Sequence, residues 1–153
     1  MDLTVISTYR YNSKCQMCYI WQNPTVPEEE VSIETLKKLP GGFDNLNVSG
    51  GEPTLRKDLA EVIDVLVPKA RITEISSNGL HAERIVPIIK KHPHVKVRLS
   101  LEGKELTNNM IRGEKDGFNK KVAGLKMLKE AGGCGAGELL PLIRLYQDGR
   151  ACR

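Results

Sequence analysis

A β-like run followed by a helix-like run occurs four times along this chain. The predicted strands span 3–8, 45–49, 72–76 and 95–101, and the helices that follow them span 32–39, 58–67, 82–91 and 117–131. The last helix is predicted from an apolar stripe at helical spacing, made by Phe118, Val122, Leu125 and Leu128. Pro87 is unfavourable inside a helix over 82–91. Strand–helix alternation of this kind predicts βαβ units and a parallel sheet.

Polar and apolar residues alternate within the predicted strands. In the fourth strand Val95, Val97 and Leu99 alternate with Lys96 and Arg98. Because successive strand residues point to opposite faces, one face can pack against helices while the other stays polar. We interpret this as α/β architecture in which the sheet curls around a wet cavity, as an open partial (β/α) barrel does. An edge sheet with one solvated side is the alternative.

The composition narrows the possible partners. The chain has 153 residues, which fits one domain, and 23 Lys+Arg against 19 Asp+Glu give a net charge of +4. The pairs Lys37-Lys38, Lys90-Lys91 and Lys120-Lys121 fall on separate predicted helices, each interpreted as a solvated face, so no nucleic-acid partner is expected. The absence of a long apolar run and of a secretory signal predicts a cytoplasmic chain with no membrane span.

Cysteine use suggests metal or redox chemistry. The four cysteines are Cys15, Cys18, Cys134 and Cys152, and the first two form a C-x-x-C pair in the loop after the first strand. Without a secretory signal, such a pair indicates metal or redox chemistry sooner than a disulfide framework. An iron–sulfur cluster, a zinc site, a thioredoxin-like site and a chance buried pair all remain open from the pair alone.

The turn after the second strand combines two glycines with a carboxylate. Gly50 and Gly51 permit close backbone approach or a positive φ, and Glu52 follows them directly. Ligand sites of α/β proteins lie at the carboxyl ends of strands, where a carboxylate suits an ammonium group. An ordinary glycine-rich turn between strand and helix explains this motif equally well.

The order of the motifs resembles a known family. C-x-x-C at 15–18, Gly-Gly-Glu-Pro at 50–53, Ser-Asn-Gly at 77–79, Ser-Leu-Glu-Gly at 100–103 and Ile-Arg-Gly at 111–113 follow one another as in radical S-adenosylmethionine (SAM) enzymes. The resemblance implies a [4Fe-4S] cluster and SAM as cofactors. It also implies reductive cleavage of SAM to methionine and a 5′-deoxyadenosyl radical, which abstracts hydrogen from a substrate. It cannot name that substrate.

The resemblance assigns roles residue by residue. Cys15 and Cys18 match the second and third cysteines of the family's C-x-x-x-C-x-x-C cluster loop. The residues that match the stretch receiving the methionine amino group are Gly50, Gly51 and Glu52. Ser100 and Glu102 match positions on the fourth strand that meet the ribose or carboxylate region of SAM. Arg112 either contacts SAM or satisfies loop carbonyls.

The cluster loop departs from the family pattern at its first cysteine position, which is Tyr11. A phenol is a hard oxygen donor and a poor match for an iron–sulfur cube. A cluster held by two cysteines and an outside ligand, ligation by Tyr11, and loss of the cluster are the three possibilities. We expect loss or severe weakening.

The chain also departs from the family in length. Residues 1–131 are predicted to form about four βα units of the usual six, and the rest, 132–153, a Gly-rich tail that is one short strand or disordered. The missing units would leave an exposed sheet edge at strand four. A truncated or frame-shifted reading frame explains this, and so does a partner chain that completes the sheet. Besides the radical SAM enzyme, a non-catalytic remnant and, more weakly, a C-x-x-C zinc or redox protein are the alternatives.

Overall fold

Four parallel strands form one sheet in the computed structural model, which describes residues 1–132. The strands are β1 (Asp2–Ile6), β2 (Phe43–Ser49), β3 (Ala70–Ser77) and β4 (Lys96–Leu99), and they lie side by side in chain order. Every neighbouring pair is parallel, which confirms the predicted α/β class. Residues 133–153, with Cys134, Cys152 and most of the predicted tail, lie outside the described residues.

Helices connect the strands and follow the last of them. They are α1 (Ile33–Lys37), α2 (Leu59–Leu66), α3 (Val86–Lys91), α4 (Glu105–Arg112) and α5 (Gly117–Glu130). Short 3-10 turns lie at Ile20–Gln22, Pro27–Glu29, Pro53–Leu55, Val67–Lys69 and Ala82–Arg84. None of these described helices is long and apolar enough to cross a membrane.

Local chemistry explains where two of the helices begin. The Ser32 hydroxyl accepts a hydrogen bond from the Thr35 backbone N–H at 3.1 Å and so caps α1. Pro87 lies in the first turn of α3, where its missing N–H costs little. The helix predicted over 82–91 is therefore a separate 3-10 turn followed by α3, because the proline marks a start and not an interior position.

The sequence did not predict α4, and it misplaced the buried stripe of α5. The buried residues of α4 are the polar Asn108 and Arg112, so this helix has no apolar stripe toward the core. In α5 the buried positions are Gly117, Lys121, Gly124 and Leu128. Of the predicted stripe only Leu128 is buried, whereas Phe118, Val122 and Leu125 are half-buried. Lys121 therefore does not belong to a solvated face, and that interpretation was wrong.

The core lies between one face of the sheet and the helices. Its best-buried side chains include Leu46, Val48, Val62, Ile63, Leu66, Ile75, Ile85 and Val95. On the opposite face the side chains are polar: the Ser76 hydroxyl donates to Asn47 at 2.9 Å, and Arg98 forms an ion pair with Glu74 at 2.9 Å. The predicted division into a covered and a polar face is confirmed for β2 and β4.

The sheet of the described residues has β1 and β4 at its edges. β4 is shorter than the predicted strand 95–101, although the Ser100 N–H still donates to the Ser77 carbonyl at 3.0 Å. The chain turns away after that bond, so Glu102 lies in the connection to α4. Within residues 1–132, β4 is thus an edge strand, as predicted.

Candidate functional site

The cysteine loop lies directly beside the glycine turn at the carboxyl end of the sheet. The Gly51 N–H donates to the Thr8 carbonyl at 2.6 Å, and the Glu52 N–H donates to the Arg10 carbonyl at 2.8 Å. These bonds extend the pairing of β1 with β2 past the ends of both strands. The cysteine motif and the glycine turn with Glu52 therefore lie together at the carboxyl edge of the sheet.

The two glycines are needed because the cysteine loop passes so close to them. Gly50 has a φ of +142°, and a Cβ there would lie 2.2 Å from the Thr8 carbonyl oxygen. A Cβ on Gly51 would lie 2.1 Å from the Arg10 carbonyl oxygen. Any side chain at either position would thus displace backbone. The sequence indicated that a ligand or backbone approaches these glycines closely, and in the structure it is the backbone at the start of the cysteine loop that does so.

The Glu52 carboxylate links the turn after β2 to the turn after β3. The side chain is fully buried. Its Oε1 accepts bonds from the Thr54 N–H at 3.0 Å, the Thr54 hydroxyl at 2.6 Å and the Ser77 hydroxyl at 2.9 Å. Its Oε2 accepts the Asn78 N–H at 2.6 Å. Four uncharged donors thus surround a negative charge just beneath the carboxyl edge of the sheet.

The Ser-Asn-Gly turn also contacts the cysteine loop. The Asn78 side-chain amide donates to the Asn12 side-chain oxygen at 2.7 Å, and its own oxygen accepts the Leu80 N–H at 3.0 Å. Asn78 is buried, so both ends of its amide are used. Three of the motifs noted in the sequence are therefore joined by hydrogen bonds.

A buried ionic network, which the sequence analysis did not identify, holds the start of the cysteine loop. Glu30 accepts from Arg10 at 2.6 and 3.1 Å and from the Thr8 hydroxyl at 2.5 Å. Arg56 donates to the carbonyls of Ser7 and Val31, both at 2.9 Å. These partners are 20 or more positions apart, so spacing gave no signal for them.

Arg56 also forms a two-bond ion pair with Asp58, at 2.9 and 2.7 Å. The hydrogen bond from Arg56 lowers the pKa of the Asp58 carboxyl, and it outweighs burial, which acts in the opposite direction. The segment after the glycine turn is thus tied both to β1 and to the start of α2.

Inside the cysteine loop, one thiol is buried and the other is exposed. Cys15 is 2% exposed and Cys18 is on the surface. The Cys15 thiol donates to the Tyr11 hydroxyl oxygen at 3.5 Å. Arg112, at the end of α4, donates to that same oxygen at 2.8 Å and to the Cys15 sulfur at 3.7 Å. Tyr11, Cys15 and Arg112 form one contact group.

Glu102 completes this group by accepting a bond from Arg112. Burial, together with the hydrogen bond to Cys15, raises the pKa of Tyr11 well above its usual range. Burial alone would lower the pKa of Arg112, but the nearby Tyr11, Glu102 and Cys15 raise it overall. Among the described residues, the hydrogen bonds of Arg112 go to side chains of the cysteine loop and of the connection after β4, and none of them goes to a loop carbonyl.

A buried lysine lies behind this group. Lys121 is 2% exposed, and its Nζ donates to the Asn108 side-chain oxygen at 3.1 Å. That oxygen also accepts the Glu102 N–H at 3.3 Å. Burial, followed by repulsion from Arg112, lowers the pKa of Lys121 to about 8.

The side chains in the cysteine loop do not supply the ligand set of a three-thiolate cluster. Such a cluster needs three thiolates from one compact segment. The loop provides Cys15 and Cys18, and its remaining position carries Tyr11, whose oxygen is bound by Arg112. Among residues 1–132 no group of three or more Cys, His, Asp or Glu side chains is placed to hold a metal ion.

Comparison with curated proteins finds relatives that match most of this chain. SkfB of Bacillus subtilis (strain 168), a sporulation killing factor maturation protein, is 30% identical over 136 residues, which cover 86% of this chain and 33% of SkfB. Fe-coproporphyrin III synthase of Methanosarcina barkeri is 35% identical over 131 residues, covering 82% of this chain and 33% of the synthase. The chain thus spans about a third of the length of these relatives.

Solved structures share the fold at lower identity. Native anSMEcpe with bound AdoMet superposes with a TM-score of 0.65 at 18% identity, over 85% of this chain and 40% of that one. The complex of native anSMEcpe with AdoMet and the Cp18Cys peptide gives a TM-score of 0.62. This likeness confirms the partial-barrel fold.

A family model agrees with both comparisons. The model of the radical SAM superfamily matches residues 5–141, which is most of the chain. It covers all five motifs, and the order of strands and motifs in the structure is the one that the resemblance implied. This chain therefore belongs to the radical SAM superfamily.

Proposed function

We propose that this chain is the cofactor-binding part of a radical SAM domain and that it binds SAM at the carboxyl edge of its sheet. The observation that carries the proposal is the backbone connection of Gly51 and Glu52 to Thr8 and Arg10. It holds the cysteine loop and the acidic turn against each other, as one site for SAM and a cluster requires.

The acidic turn is suited to an ammonium group. We assign Gly50, Gly51 and Glu52 to the methionine amino group of SAM. The Glu52 carboxylate is bound only by uncharged donors in its four hydrogen bonds, so it supplies a negative potential near the turn. Its own oxygens stay engaged with the protein, and its part is therefore electrostatic and positional.

The side of the site formed by the end of β4 and by α4 is suited to an anionic or hydroxylated part of SAM. We assign Ser100 and Glu102 to the ribose or carboxylate region. The Arg112 Nε is the buried side-chain nitrogen or oxygen that lacks a hydrogen-bond partner among the described residues. An unpartnered buried donor of a guanidinium fits a carboxylate oxygen, so Arg112 joins this side of the site.

The cluster site is proposed to be weakened in this chain. Cys15 and Cys18 would give two thiolates to a [4Fe-4S] cluster, and Tyr11 replaces the third with an oxygen that is already bound to Arg112. When such a cluster is bound, it supplies the electron for reductive cleavage of SAM in this superfamily. This chain's own residues would bind SAM and orient it for that chemistry.

A second candidate function is a half-barrel that a partner chain completes, without catalysis of its own. Among residues 1–132, β4 pairs with β3 alone, and this edge position favours the second candidate, since an edge strand with a free side is open to pairing with another chain. The two relatives are about three times as long as the region that matches this chain. One solved complex holds a peptide as well as AdoMet. The substrate of the complete assembly is therefore a property of more than these residues.

Anaerobic reconstitution with iron and sulfide, followed by equilibrium dialysis against SAM, tests the proposal. We expect saturable SAM binding and iron content below four per chain. Gly51→Ala should weaken binding, and Gly41→Ala is the matched control, because a Cβ at Gly41 meets only Lys69 Cα at 3.9 Å. Absence of SAM binding in the reconstituted chain would refute the proposed site. Bound zinc alone would favour the zinc alternative, and four irons with SAM cleavage would show that Tyr11 does not weaken the cluster.

A further inference from the structure

The side chains around Tyr11 form a continuous hydrogen-bonded chain through the centre of the cysteine loop. The Cys15 thiol donates to the Tyr11 oxygen, Arg112 donates to the same oxygen, and Glu102 accepts from Arg112. Cys15 and Arg112 are 2% and 6% exposed. The bond between Tyr11 and Arg112 closes a separation of 101 positions in sequence. It is a tertiary contact of the loop, not a local one.

Backbone contacts connect the loop to the end of α4 at the same place. The Gln16 N–H donates to the Ile111 carbonyl at 2.9 Å. Within the loop itself, the Trp21 indole N–H donates to the Cys15 carbonyl at 3.3 Å. Gly113 has a φ of +67°, and a Cβ there would lie 2.8 Å from the Lys14 carbonyl oxygen. The loop and the end of α4 therefore contact each other closely.

The acceptor capacity of the Tyr11 oxygen is taken up by these contacts. It accepts two hydrogen bonds, one of them from a guanidinium, and hydrogen bonds with a charged partner are the stronger kind. A metal ion at this oxygen would require both bonds to break. It would also leave the buried Arg112 with Glu102 as its remaining charged or hydroxyl partner.

We propose that Tyr11 is a structural replacement for a metal ligand: with Arg112 and Glu102 it keeps the cysteine loop folded when no metal is bound. A loop that is ordered by metal ligation gains its structure from the metal. In this chain the position of a thiolate ligand has instead become the centre of a charge-assisted hydrogen-bond network. The proposal does not depend on SAM binding, so either can fail without the other.

Hydrogen exchange of the backbone amides of residues 11–18 in chelator-treated protein tests this. We expect the amide of Gln16 to be protected in the metal-free wild type, and iron to add little protection. Tyr11→Phe should speed its exchange about tenfold, as the loss of a hydrogen bond to a charged group predicts. Tyr19→Phe is the matched control, because Tyr19 is in the same loop but 66% exposed.

Two results would overturn the proposal. One is rapid exchange at Gln16 in the metal-free wild type that becomes slow on addition of iron, which would mean that metal orders the loop. The other is an equal effect of Tyr11→Phe and Tyr19→Phe. The wild-type comparison with and without iron decides the question even if Tyr11→Phe fails to fold.

Discussion

The carboxylate of Glu52 accepts the backbone N–H of Asn78 at 2.6 Å, across a separation of 26 positions in sequence. The bond joins the turn after β2 to the turn after β3 inside the protein, where water cannot replace it. A residue that the sequence marked for ligand contact is therefore also part of what holds the carboxyl edge of the sheet together.

Glu52→Gln should lower the free energy of unfolding by about 2 to 3 kcal/mol. The amide NH₂ group would replace one carboxylate oxygen, so a buried donor would face another donor and lose its acceptor. The donors around the carboxylate are the Thr54 and Asn78 N–H groups and two hydroxyls, so no orientation of the amide satisfies them all. Urea unfolding measures the effect. Glu61→Gln, at an exposed position of α2, is the control and should be nearly neutral. Equal stability of the two variants would contradict the structural role of Glu52.

Gly51→Ala should lower stability by about 1 to 3 kcal/mol, because its Cβ would overlap the Arg10 carbonyl oxygen, 2.1 Å away. Backbone at that point cannot move without breaking the bond from the Glu52 N–H to the same carbonyl. Thermal unfolding measures the loss, with Gly41→Ala as the variant that should retain the wild-type midpoint. If Gly51→Ala has the same unfolding midpoint as wild type, the cysteine loop does not pass as close to Gly51 as the structure indicates.

The alternation of strands and helices was enough to predict the parallel sheet, and the alternation of polar and apolar residues predicted its covered face. Val95, Val97 and Leu99 alternate with charged residues in the sequence, and in the structure they are the buried ones. Helix α4 escaped prediction because its buried residues are polar: Asn108 and Arg112 are buried through hydrogen bonds, which a search for apolar periodicity does not detect.

The positions of the motifs could also be predicted, but their partners could not. Motif order placed Cys15 and Glu52 at the carboxyl edge, because parallel strands end together. Nothing in the sequence indicated that Glu30 binds Arg10, or that Lys121 is buried, since these depend on how segments far apart in the chain pack. Such contacts decide which candidate residues are free for a ligand and which are engaged with the protein.

Tyr11→Cys should increase the iron and acid-labile sulfide that the chain binds, toward about four of each, because it restores a third thiolate to the loop. The measurement is metal and sulfide content after anaerobic reconstitution, together with the visible spectrum. Tyr19→Cys adds a thiol next to the exposed Cys18 and serves as the control, which should bind no more iron than wild type. Unchanged iron in Tyr11→Cys would show that position 11 does not limit cluster binding.

Lys121 makes the stability of the chain depend on pH in the alkaline range. Its pKa is about 8 in the folded protein against 10.5 for an ordinary lysine. Between these values the unfolded chain binds a proton that the folded chain does not, so stability rises with pH. Below about pH 8 both states are protonated, and the full cost of burying the charge is present. The rise between the two pKa values should be about 3 kcal/mol.

Lys121→Met should remove this rise and stabilise the protein at pH 7, because it removes a buried charge whose hydrogen-bond partner, the Asn108 oxygen at 3.1 Å, is neutral. Chemical unfolding at pH 7, 8, 9 and 10 gives the two profiles, and the difference between them isolates Lys121 from other groups that titrate there. Lys120→Met, one position away and exposed, should keep the wild-type profile. A Lys121→Met profile parallel to that of wild type would mean that the lysine keeps its charge in the folded chain across this range, and that Asn108, Arg112 and Glu102 together accommodate it.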